Sequence, residues 1–136
     1  MKNQLHTYLF LILFLPLHVL SQEVNIDSLK ILLKNEKQDS TRADLLLHIA
    51  ESTDVDTIFR KYNLLALEIA ENNIPNSKGA ALKTFLRIKA SAYNNIGFDE
   101  TTKGNLTNAL NYYVKSLKIE REIKNSKDEA YVLNNI

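Results

Sequence analysis

From residue 22 onward, apolar side chains recur every three to four positions in successive stretches separated by short polar interruptions. That is the period of helices with one buried face. The spacing predicts helices over 27–37, 40–52, 55–72, 77–100 and 106–124, with another beginning at 126. In the first, Leu29, Leu32 and Leu33 share a face and Asp27 stands at the N-cap. The second turns Leu45, Leu46, Ile49 and Ala50 inward, and the third carries Ile58, Phe59, Tyr62, Ala66 and Ile69. Pro75 disfavours helix at Ile74 and marks 72–76 as a turn. Gly104 can take positive φ to close the next turn, and Asn105 then offers a cap. Ser126 and Glu129 have the spacing of a capping box. No useful length alternates with the period of a strand, so the expected fold class is all-α.

Short phrases recur along these helices. Asn-Asn-Ile stands at 94–96 and again at 134–136, and Asn-Ser-Lys at 76–78 and 125–127. Recurrence at a fixed period is the mark of stacked helix pairs rather than a closed bundle. The two phrases start eighteen residues apart the first time and nine the second, so the first unit has a longer leading helix.

Within 90–129, Tyr93, Ile96 and Gly97 lie on one helix and Ala109, Tyr113 and Ser116 on the next. Gly97 and Ala109 lack bulk, so paired helices can approach closely there, and Tyr93 and Tyr113 fill the wedges beside them. This order of large and small residues resembles the tetratricopeptide repeat. Glu100 stands where that family has an aromatic residue, and Arg121 where it has a proline. An earlier, more degenerate unit matches Ile49-Ala50 to Ile96-Gly97 and Ala66-Leu67 to Ser116-Leu117. In it Phe59 takes a position that is usually small, and Asn63 one that is usually aromatic. The resemblance implies a short right-handed solenoid. Its parts would be a leading helix in 22–38, a degenerate pair in 39–75, a pair in 76–125 and the start of a further repeat in 126–136. The runs IDSLKILLKNEKQDSTRADLLLHIAE and GNLTNALNYYVKSLKIEREI look like the exported N-terminal region of bacterial tetratricopeptide sensor proteins. In that group, a membrane helix and a histidine kinase, nucleotide cyclase or DNA-binding output commonly follow.

The first residues agree with export. Lys2 supplies a positive start, YLFLILFL at 8–15 an apolar core, and Val19-Leu20-Ser21 small residues at the −3 and −1 positions before Gln22. We therefore read 1–21 as a signal peptide cleaved between Ser21 and Gln22. An uncleaved signal anchor is the alternative, but the apolar run is short of the roughly twenty residues of a spanning helix. The expected location is periplasmic or secreted, with tethering to a membrane in a longer parent protein.

Composition narrows the chemistry. Seventeen basic residues face sixteen acidic ones without a basic stripe, which argues against nucleic acid as a partner. The chain has no cysteine, and His48 is the one histidine after the signal peptide, so no triad, thiolate or two-histidine metal site can be assembled. Asp54 and Asp56 read as capping and dipole partners of a helix start. Glu120 with Lys124, and Lys118 with Glu122, read as pairs on a wet helix face. Asn105-Leu106-Thr107 matches a glycosylation sequon, a pattern short enough to arise by chance.

The resemblance implies a concave face lined by Ser91, Asn94, Asn95, Phe98 and Thr102, extended by Asn134 and Asn135. Carboxamides both donate and accept, so such a ladder could hold a peptide backbone. Alternatively, one asparagine of each pair meets solvent and the other satisfies a neighbouring helix. The expected function is binding of a protein or peptide, without catalysis, cofactor or metal. Two alternatives are a sensor kinase or cyclase whose catalytic domain lies beyond residue 136, and a free-standing secreted adaptor. The last helix carries Ala130, Tyr131, Leu133 and Ile136, which predicts marginal stability or self-association.

Overall fold

A computed structural model describes residues 25–136, so the signal peptide and its Ser21/Gln22 cleavage point lie outside the described residues. Within them the chain is all helical, with no strand. The elements are α1 (Ile26–Asn35), α2 (Asp39–Glu51), α3 (Asp56–Asn73), a 3-10 turn (Ile74–Asn76), α4 (Gly79–Thr102), α5 (Leu106–Glu122) and α6 (Ser126–Asn135). No helix among them is long and apolar enough to cross a membrane.

The helices sit where the apolar period places them, but their ends differ from the expected caps. Asn25, not Asp27, caps α1, its Oδ1 accepting from the backbone N–H of Asp27 at 2.9 Å. Asn125, not Ser126, caps α6. Its side chain accepts from Asp128 N–H and donates to Asp128 Oδ2 at 2.6 Å, while Glu129 turns instead to Arg121 Nε at 2.8 Å. Asn125 and Asp128 thus take the places expected of Ser126 and Glu129, but the return bond is side chain to side chain, because the Asn125 backbone N–H goes to Glu120 O. Asn105 precedes α5, but its amide donates to Glu100 Oε2 at 3.0 Å instead of capping. Ile74 is in the helical region (φ −52°, ψ −47°) despite Pro75, whose missing N–H is not needed at the start of the 3-10 turn.

Two turns have the same build. Gly104 takes φ +77°, its N–H bonds to Thr101 O, and Asn105 N–H bonds to Glu100 O at 2.8 Å. After α5, Lys124 takes φ +55°, its N–H bonds to Arg121 O, and Asn125 N–H bonds to Glu120 O at 2.9 Å. Both are Schellman closures, the second with a lysine in the place that glycine favours.

Long-range pairs give the order of the helices. On α3 and α4, Arg60 meets Asp99 and Glu100, Asn63 meets Asn95, and Glu71 meets Lys89, so these neighbours are antiparallel. Helices two apart run parallel where they touch. Asp44 on α2 pairs with Arg87 on α4, and Glu51 with Asn95. On α4 and α6, Asn94 pairs with Asn135. The partners in these parallel contacts are 43, 44 and 41 residues apart.

The core has two parts. Ala43, Leu46 and Leu47 of α2, Ala66 and Ala70 of α3, and Phe85, Ile88 and Ala92 of α4 form the larger, with Leu33 of α1 packed against it. Leu47 is therefore a core residue and Leu45 only half-buried, while Leu32 faces solvent. Ala109, Tyr113 and Leu117 of α5 and Val132 of α6 form the smaller. A Cβ on Gly97 would lie 2.7 Å from Tyr113 Cε1 and 3.2 Å from Ala109 O, so α4 and α5 meet at glycine distance. Ile96, Ala109, Tyr113 and Ser116 are buried around that point, whereas Tyr93 is half-buried and packs on Tyr112 at 5.9 Å. Leu106, Leu110 and Val114 form an exposed row on α5, and Tyr131, Leu133 and Ile136 are exposed on or just after α6.

Candidate functional site

Three of the four asparagines expected to line a binding face are engaged between helices. Asn94 is only 4% exposed, and its Oδ1 accepts from Asn135 Nδ2 at 2.9 Å. Asn95 donates to Asn63 Oδ1 at 2.9 Å and to Glu51 Oε1 at 3.2 Å. Asn63, fully buried, gives its own amide to Phe59 O at 2.9 Å. Asn94, Asn95 and Asn135 thus link α2, α3, α4 and α6, the arrangement of the alternative in which an asparagine satisfies a neighbouring helix. The cause is position: a carboxamide on a packed helix face must find partners inside the protein. Asn134 points to solvent, and Ser91 is half-buried on α4.

Phe98 and Thr102 have a different setting. Phe98 is 53% exposed and meets Phe59 of α3 edge-on, with ring centroids 6.4 Å apart. Thr102, one turn on, donates to Asp99 O. Both line a groove of about 340 Å³ between the end of α4 and the α2–α3 turn, with Glu51, Asp54, Asp56 and Asp99 around it. Phe59 is half-buried, with its ring beside Phe98 at the groove edge. Asp56 stands in the first turn of α3, at the positive end of its dipole as expected, but neither it nor Asp54 caps the helix, whose N-cap residue is Val55. Both also border the groove, and neither pairs with a cation among the described residues. Asp99 is neutralised by Arg60 and by Lys103, at 2.6 Å each.

A part-buried polar cluster adjoins the groove through Asp99. Arg60 Nη1 bonds Asp99 Oδ2 at 2.6 Å and Glu100 Oε1 at 3.0 Å, and Glu100 Oε2 accepts from Asn105 and Asn108. The Arg60 bond, then that of Asn105, holds the Glu100 carboxyl below its ordinary range. Both oxygens of Glu100 are thus engaged by hydrogen bonds. The sequence marks it only by its register, since it falls on the same helix face as Gly97 and Ile96.

On the other side of α4, Tyr93 donates to Glu71 Oε1 at 3.2 Å, and Lys89 pairs with the same oxygen at 2.9 Å. Lys115 lies over both the Tyr93 and the Tyr112 rings. The two surface pairs expected on α5 do not form among the described residues. Glu120 is buried, Lys124 lies past the helix end, and Lys118 and Glu122 remain exposed and apart. His48 is exposed beside Glu51, at 3.8 Å. Among the described residues, no three His, Cys, Asp or Glu side chains gather as a metal site would require.

The groove can therefore hold a side chain or short segment with an apolar contact to two phenyl rings and a cationic group near the carboxylates. It holds no nucleophile paired with a base. Comparison with protein-family models, with characterised proteins and with solved structures finds no match to this chain.

Proposed function

We propose that this chain is a non-catalytic protein- or peptide-binding module of the tetratricopeptide type. It serves as the extracytoplasmic sensing part of a bacterial signalling protein and binds in the Phe59–Phe98 groove. The observation that carries this reading is Phe98, a phenyl ring half in solvent, stacked edge-on against Phe59 and ringed by carboxylates. Large aromatic side chains left exposed in a concavity are the residues that partners most often cover. The solenoid part is supported by the near-constant offset of 43, 44 and 41 residues between parallel helices in contact, close to the forty-residue recurrence of Asn-Asn-Ile. The carboxylates favour a segment that combines an aliphatic or aromatic side chain with lysine or arginine.

The test is a fluorescence-anisotropy titration of the full chain with labelled peptides of alternating leucine and arginine, and with their leucine–glutamate counterparts. The basic series is expected to bind, and Phe98→Ala to weaken it about tenfold or more. Equal binding of both series, or no effect of Phe98→Ala, would discard the groove. Turnover of a nucleotide or ester by the purified chain would overturn the non-catalytic part.

A further inference from the structure

Glu120 belongs to the last turn of α5 and is 1% exposed. Its Oε2 has no hydrogen-bond partner among the described residues, and neither has Ser116 Oγ, buried one turn earlier on the same face. An ionised carboxylate left so would be among the most costly groups a small domain can contain.

Its surroundings add to the cost. From α6, Asp128 presents a second negative charge, already held by Asn125 Nδ2 at 2.6 Å. From the α5–α6 turn, Asn125 offers a hydrogen bond. From α4, Arg87 attracts the carboxylate, but its guanidinium is bonded to Asp44 of α2. The C-terminal end of α5 is also the negative end of its dipole.

The element packed beside this corner is held by few side chains. α6 has ten residues, of which only Val132 is buried. Beyond that side chain it is held by the Asn135–Asn94 bond and the Arg121–Glu129 ion pair. Elements held by few contacts open separately from the rest of a domain.

We propose that Glu120 is a proton-operated latch for α6: the neutral acid lets the helix close over α5, and ionisation drives it off. Burial first, and Asp128 second, push the Glu120 carboxyl up to about 7. With α6 open, the carboxyl is solvated and returns to the ordinary value of 4.5. The closed form therefore has its full advantage below about 4.5, loses it as the pH rises, and has lost it once the pH passes about 7. Opening uncovers Tyr113 and Leu117 and releases the Asn94 amide.

Hydrogen exchange on the full chain, corrected for the intrinsic rate at each pH, reads this directly. The amides of α6, referred to those of α4, are expected to lose protection at least tenfold between about pH 5 and about pH 7. In Glu120→Gln, which keeps the shape without the charge, the ratio is expected to stay flat. The same loss in Glu120→Gln, or a flat ratio in the unaltered chain, would overturn the latch. Should that variant not fold, carbon-13 NMR titration of the unaltered chain decides. A Glu120 carboxyl midpoint raised above the ordinary carboxylate range, between about 4.5 and about 7, supports the proposal, and one in the ordinary range refutes it.

Discussion

The Asn95 side chain on α4 donates to the carboxamide oxygen of Asn63 on α3 at 2.9 Å, and Asn63 is wholly buried. Asn63 in turn gives its amide to the backbone carbonyl of Phe59, so one chain of hydrogen bonds runs from helix to helix through the interior. Asn95→Ala would leave the buried Asn63 oxygen without this donor. The expected loss is about 1–3 kcal/mol in urea unfolding. A double-mutant cycle with Asn63→Ala should show coupling, because the second change removes the atom that the first had stranded. Additive effects would mean that the bond contributes nothing specific.

Gly97→Ala would bring a methyl group to 2.7 Å from the Tyr113 ring. Tyr113 cannot swing away freely, being buried and bonded through its hydroxyl to Thr101 at 3.1 Å. Alanine's better helix propensity offsets less than 1 kcal/mol of the overlap. A net destabilisation of about 1–3 kcal/mol is expected from chemical denaturation. If Gly97→Ala raised the midpoint, the close approach of α4 and α5 would be wrong.

Lys124→Gly should act in the opposite direction. Lys124 holds φ +55° to close the α5–α6 turn, in the conformation that Gly104 uses after α4. A side chain there costs roughly 1–2 kcal/mol, part of which glycine returns through its greater freedom when unfolded. A gain of about 0.5–1 kcal/mol is expected, visible as a higher melting temperature. A loss would indicate that the lysine side chain makes a contact more valuable than its strain.

Arg60→Met tests the polar cluster beside the groove through its pH dependence. The Arg60 bond, followed by that of Asn105, keeps Glu100 below its ordinary value of 4.5. A carboxyl held low in the folded state contributes stability that is complete above its unfolded value and is lost as the pH falls through its folded one. The unaltered chain should therefore exceed Arg60→Met in stability at neutral pH, with the gap narrowing as the pH drops below about 4.5. Melting temperatures across that range give the answer, and a gap that does not change with pH would remove Glu100 from the account.

The pattern of apolar positions was enough to place the helices, and their all-α class follows from local period alone. Each helix depends on residues three and four apart, so its signal is contained in its own stretch. The near contact of Gly97, Ala109 and Tyr113 was also legible, because small and large residues at matching places imply how closely two backbones can approach. Cap positions shifted by a residue or two, since several adjacent polar side chains at each end could do the same work.

The roles of the polar residues were settled by tertiary structure. Asn94, Asn95 and Asn135 could equally have faced a ligand, and Glu120 could have paired with Lys124 in solvent. Burial decided otherwise, through partners about forty residues away in the case of Asn94 and Asn95, and through the approach of α6 in the case of Glu120. A polar side chain carries the same letters whether it meets water, a partner helix or nothing. Only the packing of distant segments sets which, because the free energy of a polar group depends on what replaces its water. The sequence by itself determined the helices and the closeness of one pair. The tertiary structure alone decided which amides bind helix to helix, which phenyl ring is left open beside the carboxylates, and which acid is shut away from solvent.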